Sequence, residues 1–209
     1  MSKHNWKKEL LDFYLKRKDF IKKEFSENID FTDVFDPYLD EKNDNPIMII
    51  GEAPGANEVR LKEPFVGKAG ENLNYLISLS GLDRKRDFLI TNAFPFRTFK
   101  GNTNRTPSAK ELKFGAKLLE KEIEIVKPKL ILLLGNSAIK AFSYIPWAKE
   151  VKNLKKCGIY EINGKKVGVC FHPSPLAFNR KDIRDSLEKF FKKLKFEYNY
   201  TKRRKNGKY

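Results

Sequence analysis

The chain has 209 residues, enough for one compact domain that buries most of its apolar core, and no linker divides it. Forty-three Lys and Arg against 27 Asp and Glu give a formal net charge of +16, which favours a polyanionic partner such as nucleic acid; a generally lysine-rich proteome is the alternative explanation. Its two cysteines, Cys157 and Cys170, form no Cys-x-x-Cys motif and exclude a disulfide-built scaffold. Without a signal-peptide core or an apolar run long enough to span a bilayer, we expect a single cytoplasmic domain over residues 1–209, with no membrane partner.

The two ends of the chain have distinct patterns. Residues 1–28 predict an amphipathic helix, because apolar side chains recur mostly at three- to four-residue steps with lysines between them. The stripe expected to pack on the core consists of Trp6, Leu10, Phe13, Tyr14, Phe20 and Phe25. Residues 197–209 are basic and predict a flexible tail, which is either a nonspecific nucleic-acid arm or a solvated end.

Short apolar runs alternate with helical patterns through the rest of the chain. Four runs predict buried parallel strands: IMII (47–50), FLITNAF (88–94), KLILLLG (129–135) and KVGVCFHPS (166–174). Helices are predicted between and after them, at about 69–81, 108–126, 136–143 and 180–196. This alternation indicates an α/β fold of three αβα layers around a mostly parallel, four-stranded sheet. A hairpin through Asn163-Gly164 predicts an additional antiparallel edge.

In such sheets a ligand binds beyond the carboxyl ends of the strands. Four strand ends therefore supply the candidates: Gly51-Glu52, Thr91-Asn92, Gly135-Asn136 and His172-Pro173-Ser174. Glu52 is a carboxylate followed by Ala53-Pro54-Gly55, a segment that can bring backbone close to a ligand, although taken alone it is explained more simply by a helix cap or a solvated turn.

Three other side chains carry useful chemistry. Phe65, between Pro64 and Gly67, can present its face to a base, or it can be a core residue. Asn92 has a donor and an acceptor on one planar amide, as needed to pair with a nucleobase edge, or it can close the strand with an Asx turn. His172 can donate a hydrogen bond to a reacting group, or it can be structural.

An ordered set of motifs over roughly residues 46–195 resembles the uracil-DNA glycosylase superfamily, most closely its iron-sulfur (family four) class. The motifs are GEAPGANE (51–58), PFVGKAG (64–70), TNAFPFR (91–97), LLLGNSA (132–138) and HPSPLAF (172–178). The resemblance implies that Glu52 and His172 are catalytic and that Ala53, Phe65 and Asn92 bind the extruded base. It implies a set that binds DNA or wedges into the duplex, made up of Pro54, Gly55, Glu58, Pro173, Ser174 and Leu176.

The chain differs from that class in the residues that would bind the iron-sulfur cluster. The resemblance implies a cluster held by four cysteines, but Phe96 and Gly115 stand where two of them belong and the N-terminal segment has none. We therefore expect no iron-sulfur cluster, no metal site and no cofactor. The aromatic residues of the first helix, or Phe94 and Phe96, are expected to pack in its place.

The resemblance implies a monofunctional DNA glycosylase that flips uracil out of DNA and hydrolyses its N-glycosidic bond, leaving an abasic site for base excision repair. Uracil-containing DNA is then the partner and a monomer the expected state. The alternatives are a glycosylase for another deaminated base, such as hypoxanthine, or a DNA-binding relative without activity. A phosphate-binding α/β protein is disfavoured because neither GxxxxGK[ST] nor GxGxxG occurs.

Overall fold

The computed structural model describes the backbone of residues 5–206 and the side chains of residues 5–198. The helices in this part of the chain are α1 (Trp6–Glu24), α2 (Ala56–Leu61), α3 (Lys68–Ser80), α4 (Ala109–Val126), α5 (Asn136–Phe142), α6 (Pro175–Phe178) and α7 (Lys181–Asn206). The strands are β1 (Ile29–Asp30), β2 (Ile47–Gly51), β3 (Phe88–Asn92), β4 (Arg97–Lys100), β5 (Thr103–Asn104), β6 (Leu130–Leu134), β7 (Gly158–Ile162) and β8 (Lys165–Cys170). Two 3-10 helices cover Leu39–Glu41 and Pro146–Asn153.

The central sheet has the strand order β3-β2-β6-β8-β7. The first four strands are parallel, and β7 adds to the edge as an antiparallel hairpin partner of β8. The predicted α/β architecture and its antiparallel edge are confirmed, but the sheet has five strands rather than four, because the hairpin turn at Asn163 and Gly164 folds β7 back onto the sheet. A separate antiparallel sheet, β1-β4-β5, was not predicted, since its strands have two to four residues.

Alternate residues of the parallel strands enter two cores. Helices α3 and α7 cover one face, where Ile47, Ile49 and Leu132 pack with Leu73 and Phe191. Helices α4 and α5 cover the other face, where neighbouring strand residues pack with the apolar stripe of α4. The continuous apolar strands predict this two-sided burial.

The N-terminal helix packs on α4 and on the β3 edge of the sheet, as its pattern predicts. Its fully or nearly buried residues are Trp6, Leu10, Tyr14, Arg17 and Ile21. Phe20, which the predicted stripe includes, is 51% exposed, because the buried face follows the three- and four-residue steps from Trp6 to Ile21. The stripe instead buries Arg17, a charge that the pattern did not predict.

The structure also corrects the C-terminal boundary. The last helix was predicted to end near residue 196, but α7 continues as far as Asn206 and so includes most of the segment 197–209 that was predicted to be a flexible tail. Residues 207–209 lie outside the described part of the chain. No helix within the described residues is both long and apolar enough to cross a membrane.

Candidate active site

Three of the four predicted strand ends bring their functional side chains to the same edge of the sheet. Gly51 pairs with Asn92 across β2 and β3, and the amide of Phe94 donates to the carbonyl of Glu52 at 3.0 Å. On the neighbouring strands, the amide of Gly135 donates to the carbonyl of Cys170 at 3.0 Å. This backbone pairing places the residues that follow β2, β3, β6 and β8 around one site.

Glu52 is oriented by a side chain from α5. The Ser137 hydroxyl, which is buried at the start of that helix, donates a 2.5 Å hydrogen bond to Glu52 Oε2. The fourth strand end therefore contributes Ser137 rather than Asn136, whose exposed side chain accepts from Lys156 Nζ at 2.7 Å. A carboxylate held in this way has a fixed direction.

His172 lies within electrostatic reach of Glu52. Burial lowers the pKa of its imidazole below the ordinary value, and the Glu52 carboxylate opposes that effect. A methyl group in place of the Gly135 hydrogen would lie 2.7 Å from His172 Cβ, so the histidine side chain rests directly on the residue that follows β6. Because burial dominates, the imidazole is neutral near pH 7 and can donate one hydrogen bond.

Phe65 stacks on His172 with ring centroids 6.0 Å apart and an interplanar angle of 28°. Its backbone has φ +57°, a left-handed conformation that a bulky residue adopts only when its surroundings impose it. The α3 residue Gly70 leaves room for the Phe65 carbonyl, which lies where a Cβ would otherwise be. The Phe65 ring and Asn92 Oδ1 both approach Gly51 so closely that a Cβ there would lie 2.7 Å from each.

Asn92 is almost completely buried, with 8% of its surface exposed. The side-chain amide of Asn92 forms no hydrogen bond with any of the described residues. The Asx turn that the sequence allowed is therefore not formed. An amide at the edge of a site with both its donor and its acceptor available is suited to pair with a planar ligand.

Glu58 joins the two loops that precede and follow it. Its Oε2 accepts from the amide of Gly55 at 3.1 Å, while Oε1 accepts from the amides of Val66 and Gly67 at 3.2 and 3.1 Å. These bonds connect the loop after Glu52 with the loop that carries Phe65. The carboxylate predicted to bind DNA is thus occupied by backbone donors of its own chain.

The residues next to Glu52 are mainly part of the protein interior. Ala53 packs against the cluster that contains Phe94 and Phe96, and Pro54 is buried. A Cβ at Gly55 would lie 2.7 Å from Glu58 Oε2 and 3.0 Å from Asn104 Nδ2. The structure thus places Ala53 beside the site and gives Pro54 no exposed side-chain face.

The segment after His172 ends in an exposed apolar side chain. Pro173 is buried and its carbonyl accepts from Asn72 Nδ2 at 2.9 Å, while the Ser174 hydroxyl caps α6 through the amide of Ala177 at 3.4 Å. Leu176 is 84% exposed, more than any other large apolar side chain among the described residues. The capped helix therefore projects an isolated leucine next to the candidate site.

A comparison with known proteins identifies the family. The family model for the uracil DNA glycosylase superfamily matches residues 38–195, well over half of the chain. The chain belongs to this superfamily, which confirms the enzyme class expected from the motifs, an N-glycosidic hydrolase of the uracil-DNA glycosylase type.

Curated relatives of the chain carry the name of one type of uracil-DNA glycosylase. The chain is 38% identical over 139 residues to a protein of Thermotoga maritima named type-4 uracil-DNA glycosylase, an alignment that covers 66% of this chain and 69% of the relative. A protein of the same name from Archaeoglobus fulgidus is 33% identical over 153 residues, 71% of this chain and 74% of the relative. A third, from Sulfurisphaera tokodaii, is 34% identical over 155 residues, with 71% and 68% covered.

The residues do not fit the four-cysteine cluster that the resemblance implies. The whole sequence has two cysteines, and both lie at the β7-β8 edge of the sheet. Phe96 is fully buried, and a Cβ at Gly115 would lie 1.9 Å from the carbonyl oxygen of Ala93, so no side chain fits there. No group of three or more His, Cys, Asp or Glu within the described residues is arranged to hold a metal ion.

Aromatic packing fills the region around Phe94 and Phe96. The Phe31 and Phe96 ring centroids are 5.3 Å apart, and Phe25 contacts Phe94 edge-on at 6.0 Å. The α1 residue Arg17 also reaches this region, with its guanidinium carbon 5.9 Å from the centroid of the Phe96 ring. This cluster joins α1 to the segment that follows Asn92, as expected from the sequence.

Proposed function

We propose that this protein is a monofunctional DNA glycosylase that hydrolyses the N-glycosidic bond of uracil in DNA and leaves an abasic site for base excision repair. The observation that carries the proposal is the convergence of Glu52, Asn92 and His172 at one sheet edge, with Phe65 stacked on His172. A protein that only binds DNA has no need for a fixed carboxylate and a neutral imidazole at one site.

Charge separation in the reaction explains the two catalytic residues. As the bond between the sugar C1′ and the base nitrogen breaks, positive charge develops on the sugar and negative charge on the base. Glu52, held by Ser137, faces the sugar cation and orients a water whose oxygen bonds to C1′. His172 donates a hydrogen bond to the departing uracil anion from a neutral ring.

Asn92 supplies base recognition. Uracil presents a carbonyl oxygen next to an N–H, and the amide of Asn92 offers the matching donor and acceptor, whereas cytosine presents the reverse pattern. Hypoxanthine has the same carbonyl and N–H arrangement on a larger ring, so preference between the two depends on the space beside Phe65. Glycosylase activity on another deaminated base is therefore the second candidate function.

Access to the base requires its extrusion from the duplex, which costs about a few kcal/mol. Stacking on Phe65 and insertion of Leu176 into the vacated space would offset that cost. Pro173 and Ser174 hold the wedge in place, Pro173 through its backbone carbonyl and Ser174 through the hydroxyl that caps α6. The net charge of +16 favours association with DNA, and the protein acts as a monomer with water as its only co-substrate.

An excision assay tests this function. Labelled oligonucleotides carry uracil opposite guanine, uracil opposite adenine, single-stranded uracil, hypoxanthine or xanthine, and abasic product is measured under single-turnover conditions. Glu52→Ala, Asn92→Ala and His172→Ala should each reduce uracil excision at least about 100-fold, because Glu52 and His172 act on charge that develops in the transition state and Asn92 holds the base in place for the reaction. The matched control is Asn136→Ala, a strand-end asparagine whose exposed side chain is bonded to Lys156.

The outcomes separate the candidate functions. Excision of uracil that is lost in the three variants and kept in the control supports the proposal. Hypoxanthine excised in preference to uracil supports the second candidate. Binding to DNA without excision of any of the five substrates supports the non-catalytic alternative and refutes the mechanism.

A further inference from the structure

The two cysteines of the chain are neighbours in space. Cys157 immediately precedes β7 and Cys170 ends β8, so each cysteine lies one residue beyond the last pair of the β7-β8 ladder, Gly158 with Val169. The Cys170 thiol donates a hydrogen bond to the Cys157 sulfur, so the side chains point toward one another. Opposed residues of antiparallel strands have Cα atoms about 4.5–5.5 Å apart, within the range that a disulfide spans.

The backbone at Cys157 is strained. Its φ of +61° lies in the left-handed region, which is unfavourable for a non-glycine residue, and its amide donates to the carbonyl of Val169 at 2.6 Å. The next residue is Gly158, but the left-handed conformation falls on the cysteine and not on the glycine. This left-handed conformation sets the direction in which the Cys157 side chain leaves the backbone at the start of β7.

The surroundings of the two thiols differ. Cys157 is half-buried and opens into a cleft of about 470 Å³ whose charged lining residues are mostly lysines: Lys155, Lys156, Lys189 and Lys193, with Glu197. The hydrogen bond from Cys170 lowers the pKa of Cys157, and the Phe171 amide and Lys156 act in the same direction. Cys170 is completely buried, which raises the pKa of its thiol. One sulfur is thus accessible and activated while the other holds its proton.

We propose that Cys157 is an oxidative modification site for small peroxides and that Cys170 is its resolving thiol. The Cys157 thiolate attacks one peroxide oxygen, the O–O bond breaks, and a sulfenic acid forms as the other oxygen leaves as water. The Cys170 sulfur then attacks the Cys157 sulfur, the S–O bond breaks, and the Cys170 proton leaves with the hydroxide as water. Two thiols and one hydrogen peroxide become one disulfide and two waters, which links the start of β7 to the end of β8.

Mass spectrometry of the full-length protein tests the proposal without reference to glycosylase activity. The protein is reduced, desalted and treated with equimolar hydrogen peroxide, and intact mass and peptide mapping follow. We expect the loss of two hydrogen atoms and one intramolecular link between the peptides of Cys157 and Cys170. Protein unfolded in denaturant before the same treatment should form this link at least about 10-fold more slowly, since only the fold holds the sulfurs together.

Two variants assign the roles. Cys170→Ala should stop at the sulfenic acid, which dimedone labels at Cys157, and Cys157→Ala should leave the buried Cys170 unlabelled. Circular dichroism checks that each variant is folded, and Cys170→Val replaces Cys170→Ala if it is not. Folded wild-type protein that keeps both thiols at a peroxide dose that oxidises free glutathione overturns the proposal. Equal labelling of the two cysteines, or links only between molecules, also overturns it.

Discussion

The Ser137 hydroxyl donates a 2.5 Å hydrogen bond to the Glu52 carboxylate, joining two residues 85 positions apart in the chain. Ser137 stands at the start of α5, packed against the sheet, so the direction of its hydroxyl is set by the core rather than by the loop that carries Glu52. Ser137 is therefore a positioning residue, which acts on substrate through Glu52.

Removing this hydroxyl should slow excision without weakening substrate binding. A hydrogen bond to a charged group contributes about 1.5–3 kcal/mol, so Ser137→Ala should lower the single-turnover rate roughly 10- to 100-fold. Ser137→Thr keeps the hydroxyl and should recover most of the rate, and Asn136→Ala at the neighbouring position is the control. A rate for Ser137→Ala equal to wild type would show that Glu52 does not depend on this contact.

The Glu58 carboxylate should control Phe65 as well as stability. Glu58→Gln replaces one of the two accepting oxygens with a donor, so at least one loop amide loses its partner at a cost of about 1–3 kcal/mol. We expect a lower urea midpoint together with slower base capture, measured as a higher KM in excision. Glu71→Gln, at an exposed carboxylate paired with Lys68, is the matched control. Unchanged midpoint and KM in Glu58→Gln would contradict the role of this residue as a link between the loops.

The charge state of His172 can be measured directly. Only two histidines are present, so in a His4→Gln variant the remaining imidazole signals belong to His172. Their NMR titration should give a pKa below the ordinary value of about 6.5, because burial disfavours the charged ring. Glu52→Gln should lower the pKa further, since it removes the negative charge that favours the imidazolium. A rise in the pKa on that substitution would show that the two groups do not face each other.

Leu176 should matter for duplexes and not for single strands. A wedge is needed only where a base must leave a stack, so Leu176→Ala should slow excision from duplex DNA about 10-fold and leave single-stranded uracil unaffected. Leu15→Ala, at another exposed leucine but on α1, serves as the control. An equal loss on both substrates would assign Leu176 to a role other than insertion.

The buried pair of Arg17 and Glu122 provides a stability prediction. Arg17 Nη1 and Glu122 Oε1 are 3.3 Å apart, and about 2% of each side chain is exposed. Arg17→Met therefore leaves an uncompensated buried carboxylate and should cost about 3–5 kcal/mol of unfolding free energy. Burial already raises the pKa of Glu122, and losing Arg17 raises it further. The folded variant then binds a proton more readily than the unfolded chain, so its deficit should shrink as the pH falls.

A double variant checks whether that cost comes from the unpaired charge. Arg17→Met with Glu122→Leu should recover much of the loss in urea unfolding, because neither charge remains buried. A double variant as unstable as Arg17→Met alone would instead assign the cost to the aromatic contacts of Arg17.

Sequence periodicity predicts those parts of the fold that depend on local pattern. The four parallel strands and the helices α3, α4 and α5 begin and end within a few residues of the predicted boundaries, because continuous apolar runs and capping residues such as Ser108 are local signals. The helices α2 and α6 and the three-stranded sheet escape prediction because each is too short to show a period.

The candidate site could be predicted in its residue types but not in its contacts. Glu52, Asn92 and His172 stand at strand ends, where the topology brings them together. Ser137 was missed although it lies inside a quoted motif, since its contact with Glu52 depends on the order of β2 and β6 in the sheet. The hydrogen bonds that Glu58 accepts from the two loops likewise depend on a loop geometry that the spacing of residues in the sequence does not specify.

The candidate site depends on glycines that leave space as well as on the side chains that fill it. The hydrogens of Gly51, Gly70 and Gly135 leave the space that Phe65, Asn92 and His172 occupy. In a random-mutagenesis screen for lost activity, these three positions should therefore score like catalytic residues even though they offer no functional group to the substrate. A map of intolerant positions would thus include the glycines that shape the site as well as the residues that act on the substrate. Only kinetic and binding measurements on individual variants would separate these two groups.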